Sequence, residues 1–553
     1  MLVLNSESLA QTRLLLASTK NHIVIDTETN KDWILPEDRY LMGISLCIDG
    51  STFYIPVEHH EWGAEEPTGI SIDGLFDNVA NVPLVMHNAK WDLDVLEQAK
   101  IHLPSEQVYC TMLMAHLIDE NEYNYELDYL VSKYLGIHKD TKMAKAMDAY
   151  KWEHVPVKVM GKYSEQDALV TYNLFFFLMN KFDIYMDLWS STDREFMYLL
   201  KDMESVGIRL DRDRTKAALS RTEKWCAQYV KELGFDPGKK KLLQEYVFGT
   251  LGLTPLSYTP IKREPQINTK FLERTDHPWC KGFREFKVQQ KRLTSYYRPY
   301  LRLAPNGRFH PNFKQHGTVT GRLSCYDPNM QQIPRDSDIK GFFMPETGCE
   351  LWELDYRTLE FRLGAVYGKQ QNALEIFHNE GDIHQLTASS LGVPRQAGKT
   401  INFALAYGAG AGQLADTMGI PEEQAQSIVN DFRRTYSDMY RKSKEAAIVC
   451  AANGGKVKMW HGRYRHFDHS SLYHIAWSAC IQGGSFQIVK VGMLKLREHN
   501  FDMRNQVHDA VWLNIDPSKR SVENQIEEAQ SLLSDWTTEV FGLRFSTEAK
   551  RLA

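Results

Sequence analysis

The spacing of hydrophobic positions changes character along this chain. Residues 1–190 alternate short apolar runs (His22-Ile-Val-Ile-Asp26, Tyr40-Leu-Met-Gly-Ile-Ser-Leu-Cys-Ile48, Pro83-Leu-Val-Met-His87) with stretches of helical period. That alternation predicts an α/β domain. From about 190 to 300 the strand-like runs give way to helical patterning rich in Lys and Arg, broken at Phe235-Asp-Pro-Gly238 and around Thr254–Pro265. Beyond 300, strands and helices mix again. One later segment repeats every fourth residue: Arg395, Lys399, Phe403 and Tyr407. At about 100° per residue each step drifts only about 40°, so all four lie along one side of a helix. Two cations near its N-terminus can hold a polyphosphate, and two rings further along can stack a flat base. Pro394 suits the first helical turn, and the positive end of the helix dipole adds attraction for phosphate.

With 553 residues, 43% of them hydrophobic, the chain requires about three or four domains. No cationic segment leads into an apolar stretch at Met1-Leu-Val-Leu-Asn-Ser-Glu7, and no apolar run has the length of a membrane span. A cytoplasmic protein without a membrane partner is expected. Its eight cysteines are scattered without a Cys-x-x-Cys, which predicts reduced thiols. The net charge of −6 conceals a division. Residues 1–200 carry 15 Lys/Arg against 31 Asp/Glu, whereas residues 201–300 carry 21 against 12. Residues 301–553 are nearly balanced, at 29 against 28. A central basic segment is where a nucleic-acid backbone would be neutralised.

Two constellations of acids carry the chemistry. Asp26 and Glu28 flank Thr27 at the end of a strand, so alternation places both on one face. His87-Asn-Ala-Lys-Trp-Asp92 follows another strand and puts Asp92 at the start of a helix. Tyr163 and Asp167 are spaced i, i+4 on one helical face. Each motif alone fits a solvated surface. Four acids converging would repel unless divalent cations sat among them. Two metals about 3.5–4 Å apart activate water and stabilise the leaving oxygen in phosphodiester cleavage. Together these motifs resemble the DnaQ-like 3′→5′ exonucleases of the proofreading type. The resemblance implies that Asp26, Glu28, Asp92 and Asp167 hold the metals while Tyr163 positions the attacking water.

The second constellation surrounds the Arg395 helix. Thr318-Val-Thr-Gly-Arg-Leu-Ser324 and Pro328-Asn-Met-Gln-Gln-Ile-Pro334 precede Leu351-Trp-Glu-Leu-Asp-Tyr-Arg-Thr-Leu-Glu-Phe-Arg362, a strand that delivers Asp355 and runs into a helix. Gln482-Gly-Gly484 and Gln506-Val-His-Asp-Ala-Val-Trp512 follow. Phosphoryl transfer uses two carboxylates that bridge two cations, and Asp355 and Asp509 supply such a pair. Gly392-Val-Pro-Arg-Gln-Ala-Gly-Lys-Thr400 nearly spells a phosphate-binding loop, but five residues separate its glycines where that motif has four. Gly408-Ala-Gly-Ala-Gly412 follows a helix, so it is not a dinucleotide fingerprint.

With these segments the chain resembles family A DNA polymerases from about residue 20 onward, without the 5′-nuclease domain that precedes the exonuclease in the bacterial enzyme. The resemblance implies an RNase H-like 3′–5′ exonuclease domain (1–190), then a right-hand polymerase of mixed α/β and α+β class. Its parts would be a helical, basic thumb (191–305), palm (306–370), fingers (371–485) and a second palm segment (486–553). Asp355 and Asp509 would carry two Mg²⁺ or Mn²⁺ ions, as would the exonuclease acids. Arg395, Lys399 and His384 would hold the triphosphate, Phe403 would pack beside sugar and base, and Tyr407 would close the template position. Tyr356 would border the nucleotide, and Glu360 would sit under the sugar and exclude a ribose 2′-OH. Arg322, Gln482, Gln506 and His508 would touch the primer–template. The partners implied are primer–template DNA, dNTPs and single-stranded 3′ ends, with a processivity factor or other replisome proteins as further candidates.

The pattern departs from the family at three places. His508-Asp509-Ala510 lacks the usual second carboxylate, Arg357-Thr358 replace Ser-Gln, and His474 and Ser478 stand where Arg and Asn are common. These departures bear on metal affinity, rate, fidelity and minor-groove checking more than on the reaction itself. The reading is a template-directed polymerase with proofreading, of phage replicative type. Its rivals are an exonuclease whose C-terminal half only binds DNA, and a non-catalytic replication scaffold.

Overall fold

The computed structural model describes every residue except 32–34, 61–67, 78, 80–81, 104–107, 139–151, 335–336 and 407. The N-terminal half-domain is built on a five-stranded sheet in the order Ser51–Pro56, Leu41–Ile48, Ile23–Thr29, Leu84–Met86, Val108–Cys110. The first two pairings are antiparallel and the last two parallel. Ile23–Thr29 is central, and its Ile-Val-Ile start is fully buried. Continuous apolar runs of this kind are what a strand covered on both faces needs. The 26-residue helix Val157–Phe182 packs across these strands through Leu174, Phe175 and Leu178.

Helix Arg194–Val206 links this core to the next, with Met197 in the first core and Phe196, Leu199 and Leu200 in the second. The basic segment then forms long helices, as its patterning predicts. Arg212–Leu233 is capped by the Asp211 side chain, which accepts from Arg214 N, and ends at Gly234 with φ 81°. Pro278–Arg292 begins on proline, in keeping with its preference for the first turn.

A four-stranded antiparallel sheet follows, ordered Asp502–Val507, Ala510–Ile515, Glu350–Tyr356, Thr547–Arg551. One row across it reads Val507, Ala510, Asp355, Glu548. Leu354 and Tyr356 are buried on one face, and Asp355 between them is exposed on the other. Helices Ile383–Leu391, Arg395–Ala406, Glu422–Thr435 and Ser437–Ala452 lie between the two halves of this sheet in sequence. The 23-residue helix Ala476–Glu498 leads the chain back to it. The Arg395 helix ends at Ala406, so the expectation for Tyr407 falls outside the described residues.

Polar contacts join the N-terminal domain to the rest. Arg463 Nη2 lies 2.9 Å from His116 Nδ1, and His116 Nε2 lies 3.0 Å from the Thr318 carbonyl. Arg465 and His466 both engage Glu120, whose carboxylate is fully buried. Lys90 pairs with Glu204 and donates to the Phe313 carbonyl at 2.7 Å. Deeper still, Lys490 pairs with Asp193, each side chain 2% exposed, and Gln315 Nε2 donates to Asp193 Oδ1 at 2.8 Å. Among the described residues no helix is long and apolar enough to cross a membrane. All eight cysteines are free, and seven are buried.

Lys490→Ala would strand the Asp193 carboxylate out of water, and removal of one partner from such a pair costs about 3–5 kcal/mol. Urea unfolding of the variant is expected to show that loss. The double change Asp193→Asn with Lys490→Met should recover most of it.

Candidate active sites

Asp26 and Glu28 stand two residues apart on the central strand, with Asp92 on the first turn of helix Ala89–Gln98. Asn88 enters that helix in the left-handed region, φ 64°, which asparagine tolerates better than most residues. Neighbours hold each acid. Thr27 donates to Asp92 Oδ1 from its backbone N at 3.1 Å and its hydroxyl at 2.7 Å. Ser164 donates to Glu28 Oε1 at 2.6 Å, which ties the long helix to the strand. Ser45 donates to Asp26 Oδ2 at 3.4 Å.

Burial pushes the Glu28 carboxyl up to about 8, against the Ser164 hydrogen bond, with repulsion from Asp167 and Asp92 adding to the rise. Burial likewise drives Asp92 up to about 7, opposed by Thr27 and more distantly by Arg39. The Tyr163 hydroxyl is raised by burial and then by Asp167, Glu28 and Asp26, so the phenol shares one field with three acids. All five predicted residues thus face one site. Among the described residues, no three His, Cys, Asp or Glu side chains close on one point as metal ligands. Asp92 Oδ2 is buried and accepts no hydrogen bond, which suits a hard cation. Trp152 meets the Tyr163 ring edge-on at 5.8 Å and carries Lys31 Nζ 3.5 Å above its face. A cavity of about 290 Å³ adjoins the Asp92 helix, lined by Asn88, Lys90, Trp91, Met112, Asn124 and His316 among others.

The second site lies on the open face of the four-stranded sheet. Asp509 occupies a two-residue turn between strands, entered through His508 at φ 55°. Tyr356 N donates to the Asp509 carbonyl at 3.2 Å, which brings the Asp355 strand level with that turn. Burial raises the Asp509 carboxyl, and Arg322 and His508 pull it back. Glu360, in the first turn of helix Leu359–Gly368, pairs with Arg322. Burial pushes it up to about 7 against that arginine, and Asp509 adds repulsion.

The Arg395 helix packs against helix Ile383–Leu391 and against the Glu360 helix. Arg395 is exposed and paired with Asp382, which also caps helix Ile383–Leu391 by accepting from His384 N. His384 is buried and its ring is held by Asn402, whose amide donates to Nδ1 at 2.9 Å. Burial lowers its basicity. Phe403 is 48% exposed, 5.9 Å from the His384 ring. The glycine that gives the segment its resemblance to a phosphate loop has another purpose. A Cβ on Gly398 would lie 2.6 Å from the His384 carbonyl, so glycine allows the two helices to touch.

The remaining expected residues divide. Gln482 is half-buried on helix Ala476–Glu498, and His508 is exposed. The Tyr356 ring turns away from the site, its hydroxyl donating to the Leu533 carbonyl at 2.7 Å, so only its backbone borders the cleft. Gln506 points inward too. It is buried, receives Gln331 Nε2 at 2.9 Å and donates to the His508 carbonyl, which makes it a brace for the Asp509 turn. Sequence reasoning overlooked Thr27, Ser164, Asp382, Asn402 and Gln331. For Thr27, Ser164 and Asn402 the signal is a polar residue at a buried position; Asp382 is exposed and Gln331 half-buried, so burial marks neither.

The sequence model of DNA polymerase family A matches residues 209–540. A model described as 3′-5′ exonuclease matches residues 2–183. DNA polymerase I of Treponema pallidum is 26% identical, the match covering 91% of this chain and 58% of that protein. For DNA polymerase I of Synechocystis the identity is 28%, with 95% and 60% covered. The chain therefore spans about three-fifths of the length of those relatives. DNA polymerase DpoZ of Acinetobacter phage SH-Ab 15497 is 25% identical, with 92% and 93% covered. Among solved structures, the POL domain of Pol1 from M. smegmatis, in complex with DNA primer-template and dNTP, superposes with a TM-score of 0.83. That match covers 100% of this chain and 98% of the other at 20% identity, a likeness of fold.

Glu28 and Asp92 are acids whose folded pKa lies above the unfolded one. Their protons are held in the native chain at pH values where the unfolded chain has released them. Stability of the metal-free protein is therefore full below the unfolded values and is lost as pH rises, for Glu28 between 4.5 and about 8. Calorimetry is expected to show a falling unfolding temperature across that window and a flatter profile for Glu28→Gln. Added Mg²⁺ should raise the midpoint most at the alkaline end.

Proposed function

The chain belongs to DNA polymerase family A with a 3′-5′ exonuclease domain ahead of the polymerase, and on that premise we propose that it copies a template strand and trims its own errors. One observation carries the reading. Asp355, on a strand of the open sheet, lies level with the turn that carries Asp509, and the Arg395 helix, whose cations are spaced for a triphosphate, packs against the helix that follows the Asp355 strand.

Bound divalent cations would supply Lewis-acid stabilisation of the attacking and leaving oxygens at both sites. The residues supply the rest. Asp355 and Asp509 hold the ions in the polymerase site. Arg395 and Lys399 bind the triphosphate, and His384, fixed by Asn402, donates a hydrogen bond to its outer oxygens. Phe403 packs its exposed ring against the base, and Glu360, locked by Arg322, closes the space a 2′-hydroxyl would need. Arg322, Gln482 and His508 line the side where the new pair's minor groove would lie, and acceptors there are alike for all correct pairs. The primer 3′-OH then attacks the α-phosphate and pyrophosphate departs.

In the acidic domain, Asp26, Glu28, Asp92 and Asp167 form the ion-holding set, and Tyr163 orients the attacking water. A frayed single-stranded 3′ end would enter along the cavity beside Asn88 and Trp91, whose amide and ring suit backbone and base. Replication of a phage genome is the setting supported by the near full-length match to a phage enzyme. The rival reading, an exonuclease with a DNA-binding C-terminal half, has no use for two level carboxylates.

Separate mutation of the two sites tests this. Loss of several kcal/mol of transition-state stabilisation corresponds to about a thousandfold in rate. Asp355→Ala should lower primer extension by that order and leave degradation of single-stranded 3′ ends intact. Asp26→Ala with Glu28→Ala should do the reverse. Undiminished extension by Asp355→Ala would sink the assignment.

A further inference from the structure

Arg357 follows Asp355 by two residues, and its guanidinium rests on two carboxylates. Nε donates to Glu548 Oε1 at 2.6 Å, and Nη1 lies 3.6 Å from Glu380 Oε2. Glu548 is the direct cross-strand partner of Asp355. Glu380 stands two residues before Asp382, the acid that pairs with Arg395. The guanidinium therefore joins the sheet row of Asp355 to the segment that leads into Asp382, the partner of Arg395.

We propose that Arg357 is a third cation for the triphosphate of the incoming nucleotide, reached by exchanging its resting carboxylates for phosphate oxygens. The assignment rests on the polymerase reading above. Three features support it. Arg357 and Glu548 are 45% and 64% exposed, and an ion pair so exposed contributes little, so exchange is easy. The neighbouring Arg362 is committed elsewhere: its buried guanidinium donates to the carbonyls of Arg357 and Arg544 and to Ser546 Oγ, which fixes the seam under Arg357. A planar guanidinium also matches two phosphate oxygens at once.

A phosphate of the DNA backbone offers the same chemistry. Position favours the nucleotide. Glu548 lies on the side of Asp355 away from the His508–Asp509 turn, and Glu380 ties Arg357 toward Arg395.

The test uses the full chain on a primer ended with a 2′,3′-dideoxynucleotide, with Mg²⁺, so that the next correct dNTP binds without reacting. Arg357→Ala is expected to weaken dNTP binding about tenfold, the scale of one charge-assisted contact, and Arg357→Lys to restore part of it. Affinity for the primer–template alone, and its dependence on salt, should not change. Glu548→Gln, which keeps the cation and loosens its partner, should retain dNTP affinity. Unchanged dNTP binding in Arg357→Ala would overturn the assignment. Weakened primer–template binding with a shallower salt slope would also overturn it, in favour of a backbone contact. A loss in Glu548→Gln equal to that in Arg357→Ala would make the pair a structural brace and likewise overturn it. Failure of the wild-type chain to bind dNTP would instead sink the polymerase reading, so the two failures are distinct.

Discussion

Both sites of this protein depend on keeping carboxylates together where water and distance no longer separate them. Burial alone raises Glu28, Asp92, Glu360 and Asp509, and repulsion from neighbouring acids raises Glu28 and Glu360 further. The surrounding structure answers that cost at short range. Thr27 and Ser164 donate to the exonuclease acids, and Arg322 faces both Glu360 and Asp509. What this leaves is a concentration of negative potential that a hard cation relieves, so the strain of the metal-free site is itself the basis of affinity.

The two sites resolve the same problem differently. In the acidic domain the carboxylates come from one strand and two helices, and hydroxyl donors set their positions. In the polymerase half, sheet register sets them: one row of the sheet carries Asp355, and a tight turn braced by Gln331 and Gln506 carries Asp509. The first has Lys31 and Arg39 only at its border, where they pull Glu28 and Asp92 down. The second is open, and its arginines are paired with acids, Arg322 with Glu360 and Arg395 with Asp382. The uneven charge of the chain follows this division, with the basic excess placed in helices Arg212–Leu233 and Pro278–Arg292.

Much of this could be read from the order of residues, because strands that end in acids and a helix with a four-residue period leave strong local patterns. Asp26, Glu28, Asp355 and the Arg395 helix were legible for that reason. What stayed hidden depends on partners distant in sequence. Period alone cannot say that Gly398 serves helix contact, since its neighbour is the His384 carbonyl. Nor does a motif reveal which way a ring points: Tyr356 sits beside a catalytic acid, yet strand alternation sends its side chain under the sheet to Leu533. Gln506 belongs to a DNA-contacting motif by resemblance but turns inward, because the hairpin turn beside it needs its amide.

On the copying-and-trimming reading, the polar joint between the halves, with His116, Glu120 and Lys90 engaged across it, would fix the stations between which a primer end commutes. The traveller is then the nucleic acid, and the fare is set by melting. Each base-pair step undone costs about 1.4 kcal/mol, close to a factor of ten in occupancy. On that reading a mismatched terminus, with a step already lost, would be about tenfold more often at the trimming station before any side chain has inspected it. Error correction in such an architecture would be first of all a thermometer for the end of a duplex.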